Sequence, residues 1–296
     1  MKIKLLLIIY LIVINFLYSK NIEELTLNKY LNQWLKKEDS AILFNYKTGR
    51  ILFEYHSYMF NKKIPIGSVF KIITTFSFYK KNKKKANTYT YNCNNSINNT
   101  DNLFCWYKKG HGEVNIEKAF IHSCNKFYYS LNLNLDYLKK ISTYLGVNII
   151  FNSNFLKKRE KKLVMAGNLP VIKANFYDLS KLLSVFANNG QVIDIKTRKI
   201  LYYVKEINII KKIKELMRKV VKNGTAKNSF FKNYGFSGKT GTAKDENNKL
   251  YGLFIGFTQN KPYAIIVNIK NNIGATAAMI ASDIIYLYDK SSNKLH

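Results

Sequence analysis

The hydrophobic pattern changes period twice along the chain. Ala41-Ile-Leu-Phe-Asn-Tyr46 and Arg50-Ile-Leu-Phe-Glu-Tyr55 are short apolar runs joined at Lys47-Thr48-Gly49, which predicts a β-hairpin. Ahead of it, Leu25, Leu27, Leu31, Trp34 and Leu35 are spaced for an amphipathic helix over Ile22–Lys37. Pro65 and Gly67 then introduce a helix whose first turn carries Ser68 and whose body runs to about Lys80. Residues 81–112 are polar and rich in Lys, Asn and Thr, and read as irregular. Helical spacing follows over Asn115–Leu138, Phe176–Ala187 and Ile207–Lys222, with Asn189-Gly190 and Asn223-Gly224 as stops for the last two. Late in the chain Phe236–Thr242, Leu250–Thr258 and Tyr263–Lys270 read as an antiparallel meander. Ala275–Tyr288 closes as a helix with Ala277, Ile280, Ala281, Ile284 and Tyr288 on one stripe.

This order predicts an α/β (α+β) fold: one antiparallel sheet built from both ends of the body, flanked by N- and C-terminal helices, around an all-helical insertion. No internal repeat or linker divides it. The boundaries read as 1–19 for a signal peptide or short membrane anchor, 20–39 for the amphipathic segment and 40–290 for the body. Lys2 and Lys4 precede an apolar run from Leu5 to Leu17 that breaks at Ser19-Lys20. That is the layout of an export signal, and it is short for a membrane span. Cleavage after Ser19 and an uncleaved anchor both place the body in the periplasm or on the outer face of the cytoplasmic membrane.

With 47% apolar and 15% aromatic residues the chain is globular rather than disordered. Its net charge of +30 raises the question of nucleic acid, since basic surfaces release counterions from phosphate backbones. Arginine, the bidentate reader of bases and phosphates, occurs only at Arg50, Arg159, Arg198 and Arg218, so nucleic acid is not the expected partner. An exported protein this basic is instead drawn to anionic headgroups and wall polymers.

The chemistry rests on three strings in order: Ser68-Val-Phe-Lys71, Ser123-Cys-Asn125 and Lys239-Thr-Gly-Thr242. Ser68 and Lys71 share a helix face, where a lysine deprotonated by desolvation is a base for the serine. Alone, that pair also describes a solvated helix surface, and Ser123 with Asn125 also describes a cap. Gly238 and Gly241 lie within a predicted strand, where glycine points to a ligand approaching the backbone closely. A phosphate loop is excluded at Gly238-Lys-Thr240, because Asn233 stands where the motif requires glycine and a strand, not a helix, follows.

Taken together, the strings resemble the active site of the penicillin-recognising serine enzymes. Ile64-Pro-Ile-Gly-Ser-Val-Phe-Lys71, Cys105-Trp-Tyr-Lys-Lys-Gly-His-Gly112, Ser123-Cys-Asn-Lys-Phe127, Phe186-Ala-Asn-Asn-Gly190, Gly224-Thr-Ala226 and Ser237-Gly-Lys-Thr-Gly-Thr-Ala243 resemble the transpeptidase domain of class B, elongation-type penicillin-binding proteins. The resemblance covers about Ser40 to Tyr288 and implies a β-lactamase/transpeptidase-like fold. It implies Ser68 as the acylated nucleophile, Lys71 as its base, Ser123 as proton relay and Asn125 as holder of the peptide amide. Lys239, Thr240 and Thr242 would grip a terminal carboxylate beside Gly241, with the N–H groups of Ser68 and Thr242 as oxyanion hole. Ala166-Gly-Asn-Leu169 departs from the family's Gly-Gln-Gly.

Cys93, Cys105 and Cys124 fall in one stretch with His111. One reading is a Cys93–Cys105 disulfide with Cys124 buried and free. The other is a structural Cys3His zinc site, a pattern that elongation-type relatives resemble; His122 reads as an ordinary helix residue.

The leading expectation is therefore a serine D,D-transpeptidase or carboxypeptidase. It would act on D-Ala-D-Ala stem peptides of peptidoglycan and need no catalytic cofactor. β-Lactams would be its covalent inhibitors, with membrane or wall-synthesis proteins as partners. A serine β-lactamase, for which Glu160-Lys-Lys-Leu163 offers a deacylating segment, and a non-catalytic β-lactam sensor or scaffold are the alternatives.

Overall fold

A computed structural model describes residues 27–83, 85–94, 103–149, 151, 153–229 and 235–292; the 1–19 segment lies outside them. Strands β1 (Ser40–Asn45) and β2 (Ile51–Tyr55) form the predicted hairpin, preceded by a short helical stretch α1 (27–31). The longer helix expected there stops because the chain passes into turns after Leu31. Leu27, Leu31 and Leu35 are nonetheless buried, while Trp34 is 64% exposed.

The chain then runs through β3 (Ile64–Pro65), a 3-10 turn at Gly67–Phe70 and helix α2 (Lys71–Lys81). Within 81–112 the structure has more order than expected: α3 (Lys85–Thr88) and β4 (Thr90–Cys93), which pairs with β5 (Gly112–Asn115).

The helix predicted over Asn115–Leu138 is three pieces, α4 (Ile116–Ile121), α5 (Asn125–Tyr129) and α6 (Leu135–Tyr144). The first break has a backbone cause. Ser123 takes a left-handed φ of 55°, which an L-residue does not adopt inside a right-handed helix, and apolar spacing carries no sign of it. Next come α7 (Lys158–Ala166), β6 (Lys173–Ala174), α8 (Phe176–Ala187), the hairpin β7 (Gln191–Asp194) and β8 (Lys199–Tyr203), and α9 (Ile207–Asn223).

The meander is β9 (Ser237–Lys244), β10 (Leu250–Phe257) and β11 (Tyr263–Lys270), closed by α10 (Gly274–Ser292). The sheet order is β2-β1-β11-β10-β9, antiparallel throughout. Early and late strands join where Ile42 lies opposite Ile266. β10 and β11 are buried along nearly their whole length, as a sheet covered on both faces must be; α8 and α10 pack on them, and α9 on β9. On α10 the predicted stripe is the inward one, with Ala277, Ala281 and Ile284 fully buried. Among the described residues no helix is long and apolar enough to cross a membrane.

Candidate active site

Three separate elements bring the predicted strings together. Ser68 stands in the 3-10 turn ahead of α2, Lys71 opens α2, Ser123 lies in the α4–α5 break and Asn125 opens α5, and Lys239 to Thr242 lie on β9. Ser68, Ser123, Asn125, Thr240 and Thr242 line one cavity of about 360 Å³.

Lys71 and Lys239 are both fully buried. The Lys71 ammonium donates to Ser123 O at 2.8 Å, Asn125 Oδ1 at 2.7 Å and Ser123 Oγ at 3.2 Å. Burial lowers its pKa to about 7. Lys239 Nζ donates to Ser123 Oγ at 3.1 Å and Thr240 O at 3.2 Å. Its pKa is also depressed, by burial first and then by the charge on Lys71.

Proton counting shows what a neutral lysine can do in this arrangement. A carbonyl and an amide oxygen only accept, whereas a hydroxyl can also donate. A neutral Lys71 has two N–H groups for Ser123 O and Asn125 Oδ1 and a lone pair for a hydroxyl proton. Lys239 Nζ serves Ser123 Oγ from the other side, where the charge on Lys71 opposes a second charge. Two lysines converging in a dry site favour one charge over two.

The glycines of the β9 string have a different cause from the expected ligand approach. A Cβ on Gly241 would lie 2.4 Å from Ile66 O, and one on Gly238 would lie 2.4 Å from the Phe254 ring. The close neighbour is the protein itself: β9 presses against the segment carrying Ser68. Thr240 Oγ1 shares a 2.5 Å hydrogen bond with Thr225 Oγ1, and Thr242 Oγ1 accepts from the Gly274 N–H at 3.0 Å.

Trp106, Asn168, Thr225, Ile273 and Ala275 complete the cavity wall, and the sequence reading gave none of them a role. The Trp106 indole N–H donates to the carbonyls of His122 and Ser123 at 3.1 and 3.2 Å. It therefore holds the turn that Lys71 holds from inside. Asn168, from the stretch that departs from the family pattern, donates to Tyr129 OH at 2.6 Å. Trp106 and Thr225 lie in the strings that carry the resemblance, which was the available signal; Asn168 lies in the stretch that departs from it.

Glu160, the deacylating candidate of the β-lactamase reading, accepts from the Lys157 N–H at 2.8 Å as the cap of its own helix. It is not among the residues lining the cavity.

Behind the α4–α5 turn, the ligand atoms of Cys93, Cys105, His111 and Cys124 all lie within 4.8 Å of one another. His111 Nδ1 is 3.3 Å from Cys105 Sγ and 3.6 Å from Cys93 Sγ, and Cys105 and Cys124 sulfurs are 4.0 Å apart. All three cysteines are buried and none is in a disulfide, so the Cys93–Cys105 disulfide is not formed. Gly110 makes the approach achievable: its φ is +75°, and a Cβ there would meet Cys93 O at 2.2 Å. The Cys105 thiol is held well below its ordinary value, first by its hydrogen-bonded contact with Cys124 and then by His111. Three sulfurs and one imidazole at this mutual range fit a zinc donor set. His122 caps α4 and stays outside the set.

The sequence matches the penicillin binding protein transpeptidase domain family over residues 32–286. No protein of curated function matches it in sequence. Among solved structures it resembles PBP2 of Pseudomonas aeruginosa in complex with WCK 5153, at TM-score 0.73 and 16% identity, over 93% of this chain and 74% of that one. It also resembles the Helicobacter pylori penicillin-binding protein PBP2 in complex with MreC, at TM-score 0.71 and 18% identity, over 86% and 60%. The transpeptidase domain of penicillin-binding protein 3 from Burkholderia pseudomallei gives TM-score 0.70 at 13% identity, over 94% and 93%. The chain belongs to the penicillin-binding protein transpeptidase family, and its fold is that of these domains.

Proposed function

We propose that the chain is an exported serine transpeptidase that acts on the D-Ala-D-Ala end of peptidoglycan stem peptides through an acyl-enzyme at Ser68. The observation that carries this reading is the convergence of Lys71 and Lys239 on Ser123 Oγ, beside Ser68, in one buried site.

Neutral Lys71 accepts the Ser68 hydroxyl proton as Oγ attacks the penultimate D-Ala carbonyl. The oxyanion is met by the N–H groups of Ser68 and Thr242. Collapse breaks the peptide C–N bond, and the departing D-Ala amine takes a proton from Ser123, which is resupplied from Lys71 across the 3.2 Å contact. Lys239, Thr240 and Thr242 hold the terminal carboxylate, and Asn125 the peptide amide. An incoming amine or water then attacks the ester carbonyl, the ester C–O bond breaks, and the nucleophile's proton returns to Ser68 Oγ through Ser123 and Lys71, giving a crosslink or a trimmed peptide; β-lactams acylate Ser68 by the same first step.

Cys93, Cys105, His111 and Cys124 would hold a structural zinc ion, which would supply a crosslink and no catalytic step. MreC and other wall-synthesis proteins are candidate partners by analogy with the H. pylori complex. The 1–19 pattern supports export.

The test is covalent labelling of the protein from Lys20 onward with a fluorescent penicillin, beside Ser68→Ala. A persistent adduct that requires Ser68 is expected. Label lost within seconds would replace this reading with a β-lactamase, and a folded protein that takes no label would leave a scaffold.

A further inference from the structure

All five residues of β8, Lys199-Ile-Leu-Tyr-Tyr203, are exposed. Ile200 is 45%, Leu201 48% and Tyr203 58% exposed, and Ile207 at the start of α9 extends the patch. Consecutive large apolar residues on a basic protein's surface mark a place where something docks. β8 pairs with β7 alone, and among the described residues its other edge meets no strand. That edge offers a row of backbone N–H and C=O groups.

The strand is held ready. Val192 and Ile193 of β7 are buried, and the Ile193 N–H donates to Ser184 Oγ at 2.9 Å. Tyr202 OH donates to Thr143 O at 3.1 Å, and the Val204 N–H donates to Gly190 O at 2.8 Å.

Charge says what the edge takes. Arg198 and Lys199 at one end and Lys205 at the other are exposed and have no ion pair among the described residues. The nearby acids are engaged: Glu206 by Lys80 and Tyr144, and Asp194 by the Lys196 N–H and the Thr197 hydroxyl. A second copy paired antiparallel about Leu201 would set these basic ends against each other, which like charges oppose. A lipid surface would satisfy none of the edge's backbone groups. It also needs its apolar side chains on one face, whereas successive strand residues point to opposite faces.

We propose that β8 is a docking edge for an extended acidic segment of a partner protein, which adds as a third strand with apolar residues along Ile200–Tyr203 and carboxylates at both ends. No residue of the hairpin lines the cavity with Ser68, so the proposal stands apart from the catalytic reading.

The test titrates the full chain with a fluorescein-labelled nonapeptide, Asp-Glu-Val-Tyr-Val-Tyr-Val-Glu-Asp, and with a counterpart carrying lysine at each acidic position. The acidic peptide is expected to bind at least tenfold tighter and to slow hydrogen exchange at β8 amides. Lys199→Glu combined with Lys205→Glu should reverse the preference. Leu201→Lys should weaken binding about tenfold while penicillin labelling stays unchanged. Equal affinity for the two peptides, or binding that leaves β8 amides unprotected, overturns the proposal. So does a dimer in sedimentation, or binding to phosphatidylglycerol vesicles, that Leu201→Lys abolishes while neither peptide binds.

Discussion

Lys71 and Lys239 meet at one hydroxyl, with their Nζ atoms 3.2 and 3.1 Å from Ser123 Oγ. Among the described residues neither has an ion pair with a carboxylate to offset its buried charge. Burial depresses both, and the charge on Lys71 depresses Lys239 further. Either lysine can run neutral, because each keeps N–H groups for oxygens that only accept and a lone pair for the hydroxyl. The proposed mechanism takes Lys71, three residues after Ser68 in the chain, as the base.

Replacing Lys71 with methionine separates catalysis from folding. Removal of a general base costs about 10²–10⁴ in rate, so Lys71→Met should take up penicillin at least about 100-fold more slowly. Near pH 7 stability should move by less than about 2 kcal/mol, the usual range for a lost hydrogen bond. Ser123 O keeps the Trp106 donor, and Asn125 borders the cavity. Labelling kinetics beside a urea melt checks both. Unchanged labelling would remove Lys71 from the mechanism.

Labelling rate should also rise with pH through about 7, where Lys71 loses its proton. Stability carries the same sign. In the unfolded chain this lysine titrates near its ordinary value of 10.5, so between about 7 and 10.5 the unfolded state binds the extra proton. Lys71 therefore contributes a stability that increases with pH across that window. Below about 7 the burial penalty is present in full. The difference between wild type and Lys71→Met, followed by urea melts from pH 6 to 10, should show this slope; a flat difference would mean that Lys71 stays charged.

Much of this was legible in the chain because period and order carry it. The β9–β11 meander, α8, α9 and the inward stripe of α10 follow apolar spacing, and Ser68, Lys71, Ser123 and Lys239 stand in recognisable strings. What escaped is set by features that spacing does not encode. The Ser123 break comes from one left-handed residue. β8 shows no alternation because all its residues are exposed. Trp106 and Asn168 reach the cavity from loops whose path depends on the Cys105–His111 turn and on the end of α7. Gly238 and Gly241 point to a ligand at the backbone, whereas the groups that come close are Phe254 and the Ile66 carbonyl.

Gly241→Ala tests that contact. A Cβ placed 2.4 Å from the Ile66 carbonyl cannot be absorbed by a rotamer change, and forced packing of this kind costs about 1–3 kcal/mol. The displaced element carries Ser68, so labelling should slow at least tenfold along with the loss in melting temperature. Gly235→Ala, whose nearest neighbours lie 3.6 Å away but whose φ is +57°, should lose about 1 kcal/mol from backbone strain and label normally. Equal labelling by the two variants would refute coupling between β9 and the Ser68 turn.

Metal removal is the sharpest test of the cysteine cluster. Its four donors come from the end of β4, from the loop before β5 and from the residue between Ser123 and Asn125. A bound ion ties all three to the catalytic turn, and its binding energy is folding energy. Protein purified without chelator should hold about one zinc per chain with three unreactive thiols. Stripping should lower the melting temperature by several degrees and slow labelling, because Cys124 then ceases to anchor Ser123 and Asn125. Zinc should restore both, and His111→Ala should reproduce part of the loss. Metal-free protein with three freely reactive thiols, or full labelling speed after stripping, would confine the cluster to packing.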